Sequence, residues 1–227
     1  MEGSNRENGY GLKWETLRQD WPLWVWMAGL LVAGLFLYPI LPERVPSHWN
    51  IRGEVDAYSS RAFGAFFAPL LNIGLYLLML VLPLVDPRRE NYARFAGAYR
   101  LLRWGIVLFG SGLYLVTILS ALGYRVNVAL GVKALVAILF ILIGNFMGQL
   151  RHNYFVGIKT PWTLANEEVW RRTHRMAGPL WVVAGFLELA LSPVQALWGS
   201  FLFFTLTAIM VVVPIVYSYL AFRRLAS

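Results

Sequence analysis

Apolar residues in this chain fall in long unbroken blocks, not at the spacing of a one-sided helix. Six blocks are visible, at about Trp21 to Leu41, Phe63 to Val85, Leu101 to Leu122, Val128 to Leu150, Met176 to Ser192 and Ala196 to Phe222. About 20 apolar residues in a helix cross the hydrocarbon core of a bilayer. The pattern predicts an all-α integral membrane protein with six transmembrane helices filling residues 21–222. The fifth block is short and has to span by tilting or by thinning the bilayer. Residues 1–20 read as a cytoplasmic or interfacial segment, its Trp14 leading to a belt of Trp21, Trp24 and Trp26, and residues 223–227 as a short tail. Two polar stretches are long enough to have shape of their own, 42–62 and 151–175.

Composition agrees and charge adds direction. The chain is 58% hydrophobic and only 14% charged, against about 25% charged in a soluble domain. Fifteen Lys and Arg residues lie at one set of block ends and four at the other, with Lys133 inside a block. Basic residues collect on the cytoplasmic side of short loops, so both termini are expected in the cytoplasm of a multi-pass cell-membrane protein. The net charge of +8 then implies contact with membrane lipid and no direct partnership with nucleic acid. The chain has no cysteine, which excludes disulfides, thiolate metal sites and cysteine nucleophiles.

The segment 42–62 is expected to face outward. Pro42 and Pro46 bar a helix across its start, and Asn50 and Gly53 supply turn chemistry, predicting a compact loop or short hairpin. His48, Glu54 and Asp56 are metal-ligand types without ligand spacing, so hydrogen bonding within the loop is the simpler reading. Within the blocks, Lys133 and Glu188 fall at similar depth on successive helices. Ionisable groups inside a membrane are costly and usually paired, which predicts an intramembrane Lys133–Glu188 pair. Arg94, Arg100 and Arg103 are expected to snorkel to lipid phosphates.

The segment 151–175, RHNYFVGIKTPWTLANEEVWRRTHR, is the most informative. Gly157 and Pro161 form a turn-making centre. Thr163 or Asn166 can cap a helix, and Glu167 and Glu168 sit in its first turn, where the helix dipole favours them. Arg171 and Arg172 stand four residues on, giving Glu167–Arg171 and Glu168–Arg172 pairs. A short amphipathic helix at Glu167 to Arg175 is expected on the cytoplasmic surface, seated on the membrane by Trp162 and Trp170.

Asn153, Gly157, Ile158, Lys159, Thr160, Pro161, Trp162, Thr163, Leu164, Asn166, Glu167, Val169, Trp170, Thr173 and His174 together resemble the signature of the SdpI family of bacterial membrane immunity proteins. The stretch LPERVPSHWNIRGEVDAY resembles a domain of unknown function often joined to the N-terminal side of that family. The resemblance implies protection against a secreted membrane-active toxic peptide by binding. For some members it also implies sequestering a cytoplasmic repressor, without enzymatic activity or cofactor. Two other classes compete. An ion-coupled transporter would use Lys133 and Glu188, although no internal repeat is seen. A membrane metallohydrolase would use His152 and His174, which lie twenty-two residues apart with no metal-ligand spacing.

Overall fold

The computed structural model describes residues 14–226; the tail before Trp14, part of the expected interfacial segment, lies outside them. A short helix α1 (Trp14–Gln19) leads into α2 (Trp21–Leu37). A hairpin of β1 (Arg44–Trp49) and β2 (Val55–Ser60) follows. Then come α3 (Arg61–Val85), a 3₁₀ segment (Arg89–Phe95), α4 (Ala96–Ala121) and α5 (Val128–Met147). The chain ends with α6 (Pro161–Ala165), α7 (Glu167–Leu191) and α8 (Leu197–Ala226).

Among the described residues, four helical stretches are long and apolar enough to cross a membrane: Arg61–Val85, Arg89–Ala121, Val128–Met147 and Leu197–Leu225. The sequence led us to expect six. Of the other two, α2 is apolar but only 17 residues long. Helix α7 has 25 residues, but its first turns carry Glu167, Glu168, Arg171, Arg172 and Arg175. The expected surface helix is therefore not separate. It is the polar beginning of α7, because Asn166 caps the start and nothing between Arg175 and Pro179 stops the helix.

The 42–62 segment forms an antiparallel hairpin with Val45 opposite Ser59 and Pro46 opposite Tyr58. In a two-stranded sheet each strand keeps one unpaired side, and a proline whose nitrogen lies on that side costs no ladder hydrogen bond. The turn is set by Asn50, whose Oδ1 accepts from the Arg52 and Glu54 amides, and by Gly53 at φ +79°. Val45 is buried against Gly64 at the start of α3, where a Cβ would come within 2.7 Å of the valine.

Helices α5 and α7 pack most closely. A Cβ on Gly144 would lie 2.9 Å from the Gly178 carbonyl, and one on Gly185 would lie 3.1 Å from the Ala137 carbonyl. Small residues let membrane helices approach in this way, where dispersion and not the hydrophobic effect drives association.

Two expectations about charges are corrected. Arg103 does not snorkel. It is buried and forms an ion pair with Asp20, its Nε donating to Oδ2 at 3.0 Å. Tyr76 and Trp104 donate to the same carboxylate at 3.0 and 2.8 Å. Lys133 and Glu188 do not pair. Lys133 Nζ donates to Ser200 Oγ at 2.8 Å, and Glu188 Oε1 accepts from Thr207 Oγ1 at 2.8 Å. Both side chains are drawn to hydroxyls of α8. Seven residues separate those hydroxyls, about 10 Å along a helix, which holds the two charged groups at different levels.

Candidate functional site

The end of α3 opposite the hairpin meets the 151–175 segment, and the two build one polar cluster. Asn153 is fully buried and acts as a local frame. Its Oδ1 accepts from the Phe155 and Val156 amides at 2.9 and 2.7 Å, while its Nδ2 donates to the Arg151 and Val156 carbonyls. Asp86, just after α3, accepts from the Tyr92 hydroxyl and the Tyr154 amide, both at 2.9 Å. Asn91 donates to the His152 carbonyl at 2.8 Å. Asp86, Asn91 and Tyr92 did not stand out as site residues, because their partners lie 61 to 68 residues away with no spacing to mark them.

Trp170 lies at the centre. It is buried and not seated on the membrane surface, because its Nε1 donates to the Leu150 carbonyl at 3.0 Å and its ring packs with Tyr92, Phe95 and Tyr99. The rings of His152 and His174 stack on it at centroid distances of 5.2 and 4.1 Å. His174 Nε2 accepts from the Ile158 amide and Nδ1 faces the Trp170 carbonyl, both at 2.8 Å. A backbone amide can only donate, so Nε2 carries no proton and Nδ1–H donates to the carbonyl. Burial pushes the His174 pKa down to about 4, despite that carbonyl bond. His152 is also lowered, by burial and then by Arg88, whose Nη1 donates to Nδ1 at 2.8 Å. Both nitrogens of His174 are thus committed to the backbone, which leaves neither for a metal.

Gly157 is held at φ +118°, and a Cβ there would lie 2.5 Å from His174 Nε2. Only glycine fits both the backbone conformation and the histidine. Beyond it, Thr160 and Thr163 form a capping box around α6, with Pro161 in its first turn. Thr160 Oγ1 also lies 3.0 Å from Ser218 Oγ of α8, and Trp162 packs on Tyr219 at 5.0 Å. Lys159 donates to the Phe155 carbonyl at 3.1 Å. Asn166 caps α7 through the Glu168 and Val169 amides.

Of the two expected pairs, Glu168–Arg172 forms, while Arg171 turns to Glu168 and not to Glu167. Glu168 binds both Arg171 and Arg172, at 2.7 and 2.6 Å, and those hydrogen bonds hold its carboxyl down to about 2. Glu167 is left to line a polar pocket of about 370 Å³ together with Arg151, His152, Glu168, Trp170 and Arg171.

At the hairpin end, His48 Nδ1 meets Asp56 Oδ1 at 2.5 Å, both exposed. Glu54 bonds Asn50 instead, at 2.9 Å. No group of three or more His, Cys, Asp or Glu residues able to hold a metal occurs among the described residues.

Comparison with known proteins agrees with this division. Residues 26–73, which contain the hairpin, match a domain of unknown function, DUF1648. The chain is 29% identical over 194 residues to the protein named Immunity protein SdpI of Bacillus subtilis (strain 168), covering 86% of this chain and 91% of that protein. No solved structure matches. Residues 149–218, from the Asn153 frame through the stacked histidines and α7 to Ser218 of α8, match the SdpI/YfhL protein family, so the chain carries that family's region behind a DUF1648 region.

Proposed function

We propose that this is a multi-pass membrane immunity protein that protects its cell from a secreted, membrane-active toxic peptide by binding it. The observation that carries the reading is the similarity to Immunity protein SdpI along 86% of the chain. The proposed topology has six spans, with α2 and α7 as the shorter-cored members, both termini in the cytoplasm and the hairpin outside. A peptide arriving from outside then meets the hairpin and the neighbouring helix ends first.

The 151–175 cluster sits on the cytoplasmic side in this arrangement. Most of its polar groups are spent on one another, as Asn153, Asp86 and His174 illustrate. His152 Nε2 and Thr173 Oγ1 are buried without a partner among the described residues, but Arg88 donates to His152 Nδ1, so Nε2 carries the ring proton and offers no free base. That suits a rigid platform better than a catalytic centre, which needs a free nucleophile or base within reach of substrate. The pocket rimmed by Glu167, Arg151 and Arg171 is the proposed docking face for a cytoplasmic repressor. The transporter reading loses its main support, since Lys133 and Glu188 bond separately to α8.

The test is expression in a sensitive strain challenged with the peptide, at matched membrane abundance. Wild type is expected to protect and leave the peptide intact, and Trp170→Ala and His174→Ala to protect poorly because the platform loses its shape. Protection no better than empty vector rejects the immunity reading. A cleaved peptide replaces binding with catalysis.

A further inference from the structure

Helices α3 and α5 each pack on α4 and make no comparable contact with one another. The space between them is a groove of about 540 Å³. Val45 and Trp49 of β1 wall its hairpin end, while Leu71 of α3 and Val132 of α5 line its two sides. Its lining is apolar except for a few groups, and one of those is Asn72. Asn72 lies eleven residues into α3, about 16 Å from the hairpin end, near the middle of a ~30 Å hydrocarbon core.

The orientation of the Asn72 amide is decided by its neighbours. Nδ2 donates to the Val107 carbonyl and to Ser111 Oγ, both at 3.3 Å. Ser111 gives its own proton to the same Val107 carbonyl at 2.7 Å and accepts from Trp26 Nε1 at 2.9 Å. Turning the amide over would set two acceptors against each other, so Nδ2 is the atom that meets Val107 and Ser111, and Oδ1 is the atom left toward Gly110, which itself lines the groove. Oδ1 then lies over Gly110, where a Cβ would come within 2.1 Å. Among the described residues Oδ1 receives no hydrogen bond, although Asn72 is 2% exposed. It is not among the fully buried unpartnered atoms, so Oδ1 keeps a little surface of its own, on a residue that lines the groove.

The geometry points to a binding site for an apolar peptide segment that enters this groove and presents one hydrogen-bond donor to Asn72 Oδ1. A lipid acyl chain fills apolar space equally well but carries no donor, and an acceptor left unmet in hydrocarbon is costly. A tryptophan side chain, with a large apolar body and a donor-only indole N–H, matches both features. This inference rests on the peptide-binding function proposed above and gives that peptide its site and its required chemistry.

The test uses the full-length protein in phosphatidylcholine–phosphatidylglycerol nanodiscs with a photo-crosslinking residue at position 71. The probes are two synthetic Leu/Ala helices of about 20 residues, identical except for a central Trp or Phe. Wild type should capture the Trp peptide about threefold more than the Phe peptide, the ratio for one interhelical hydrogen bond of ~0.6 kcal/mol in a bilayer. Asn72→Leu should bring that ratio to one. Because Asn72→Leu also loses both bonds to α4, Val132→Trp is the second variant; it leaves the Asn72 network intact, fills the groove and should abolish capture of both peptides. Equal capture of the two peptides by wild type, or adducts with phospholipid alone, overturns the site. In the survival assay, a Val132→Trp variant that protects as well as wild type rejects the groove while leaving the immunity function standing. A wild type that protects against nothing rejects that function instead, and crosslinking alone then decides the groove.

Discussion

His174 shows how a single residue sets the behaviour of the signature segment. Its ring is stacked on Trp170, accepts from the Ile158 amide and bars any side chain at residue 157. Protonating Nε2 would turn that acceptor into a donor facing a donor. The pKa is about 4 in the folded protein, against about 6.5 when unfolded. The unfolded chain therefore binds more protons between those values. The stabilisation is complete above pH ~6.5 and is lost as pH falls toward ~4, by roughly 3 kcal/mol over the window. His152 shifts in the same direction and adds to the loss. The melting temperature in detergent should accordingly fall between pH 7.5 and 5. His174→Gln should be less stable at pH 7.5 and distinctly flatter across the range. An equally steep profile in the variant would assign the pH dependence elsewhere.

At the scale of elements, the buried Asp20–Arg103 pair fastens the start of α2 to α4, with Tyr76 of α3 bonded to the same carboxylate. Tyr76 and Tyr99 also lie 5.5 and 5.9 Å from the guanidinium. Removing one partner of a buried pair leaves a charge unmet and costs about 3–5 kcal/mol. Asp20→Asn or Arg103→Met alone should lower thermal stability strongly, and the double variant should regain part of the loss; simple additivity would mean the two act independently. This pair was not legible in the sequence. An arginine near a helix end normally reaches for phosphate, and its partner is 83 residues away with no spacing to betray it. Lys133 and Glu188 failed for the same reason. Their helices are apolar on nearly every side, so the pattern carries no helix rotation, and rotation decides which hydroxyl or carboxylate each charge meets. What could be read were features closed within a few residues: the Asn166 cap, the charged first turn of α7, the Asn50–Gly53 turn. Even there, Glu168 took both arginines because one carboxylate can accept from two neighbours.

On the scale of the whole molecule, the helical blocks were legible because a bilayer demands long apolar helices, and the hairpin and signature segment because they interrupt them. Which of the blocks cross is a matter of energetics. Five of the first nine residues of α7 are charged, so only its later part, past Arg175, is largely apolar, with Glu188 its one charged residue. Yet that part packs along α5 through Gly144, Gly178 and Gly185, and α5 is itself long and apolar enough to cross. A helix tied to a spanning neighbour over that length has to share its depth, with the charged turns left at the headgroups beside Arg151. The same logic applies to α2, whose 17 residues are held by Asp20 at one end and by the Trp26–Ser111 bond partway along. The expected topology is six crossings, with the hairpin and the signature segment on opposite faces. Enzyme-reporter fusions at Tyr58 and Asn166 should report the outside and the cytoplasm respectively. A four-crossing arrangement in which α2 and α7 both lie on the surface gives a different result. With α2 not crossing, the hairpin stays on the side of the N-terminus, and fusions before Trp14 and at Tyr58 then report the same side. Fusions on either side of α7, at Asn166 and Gln195, complete the test: opposite sides establish that α7 crosses, and one shared side sets it on the surface.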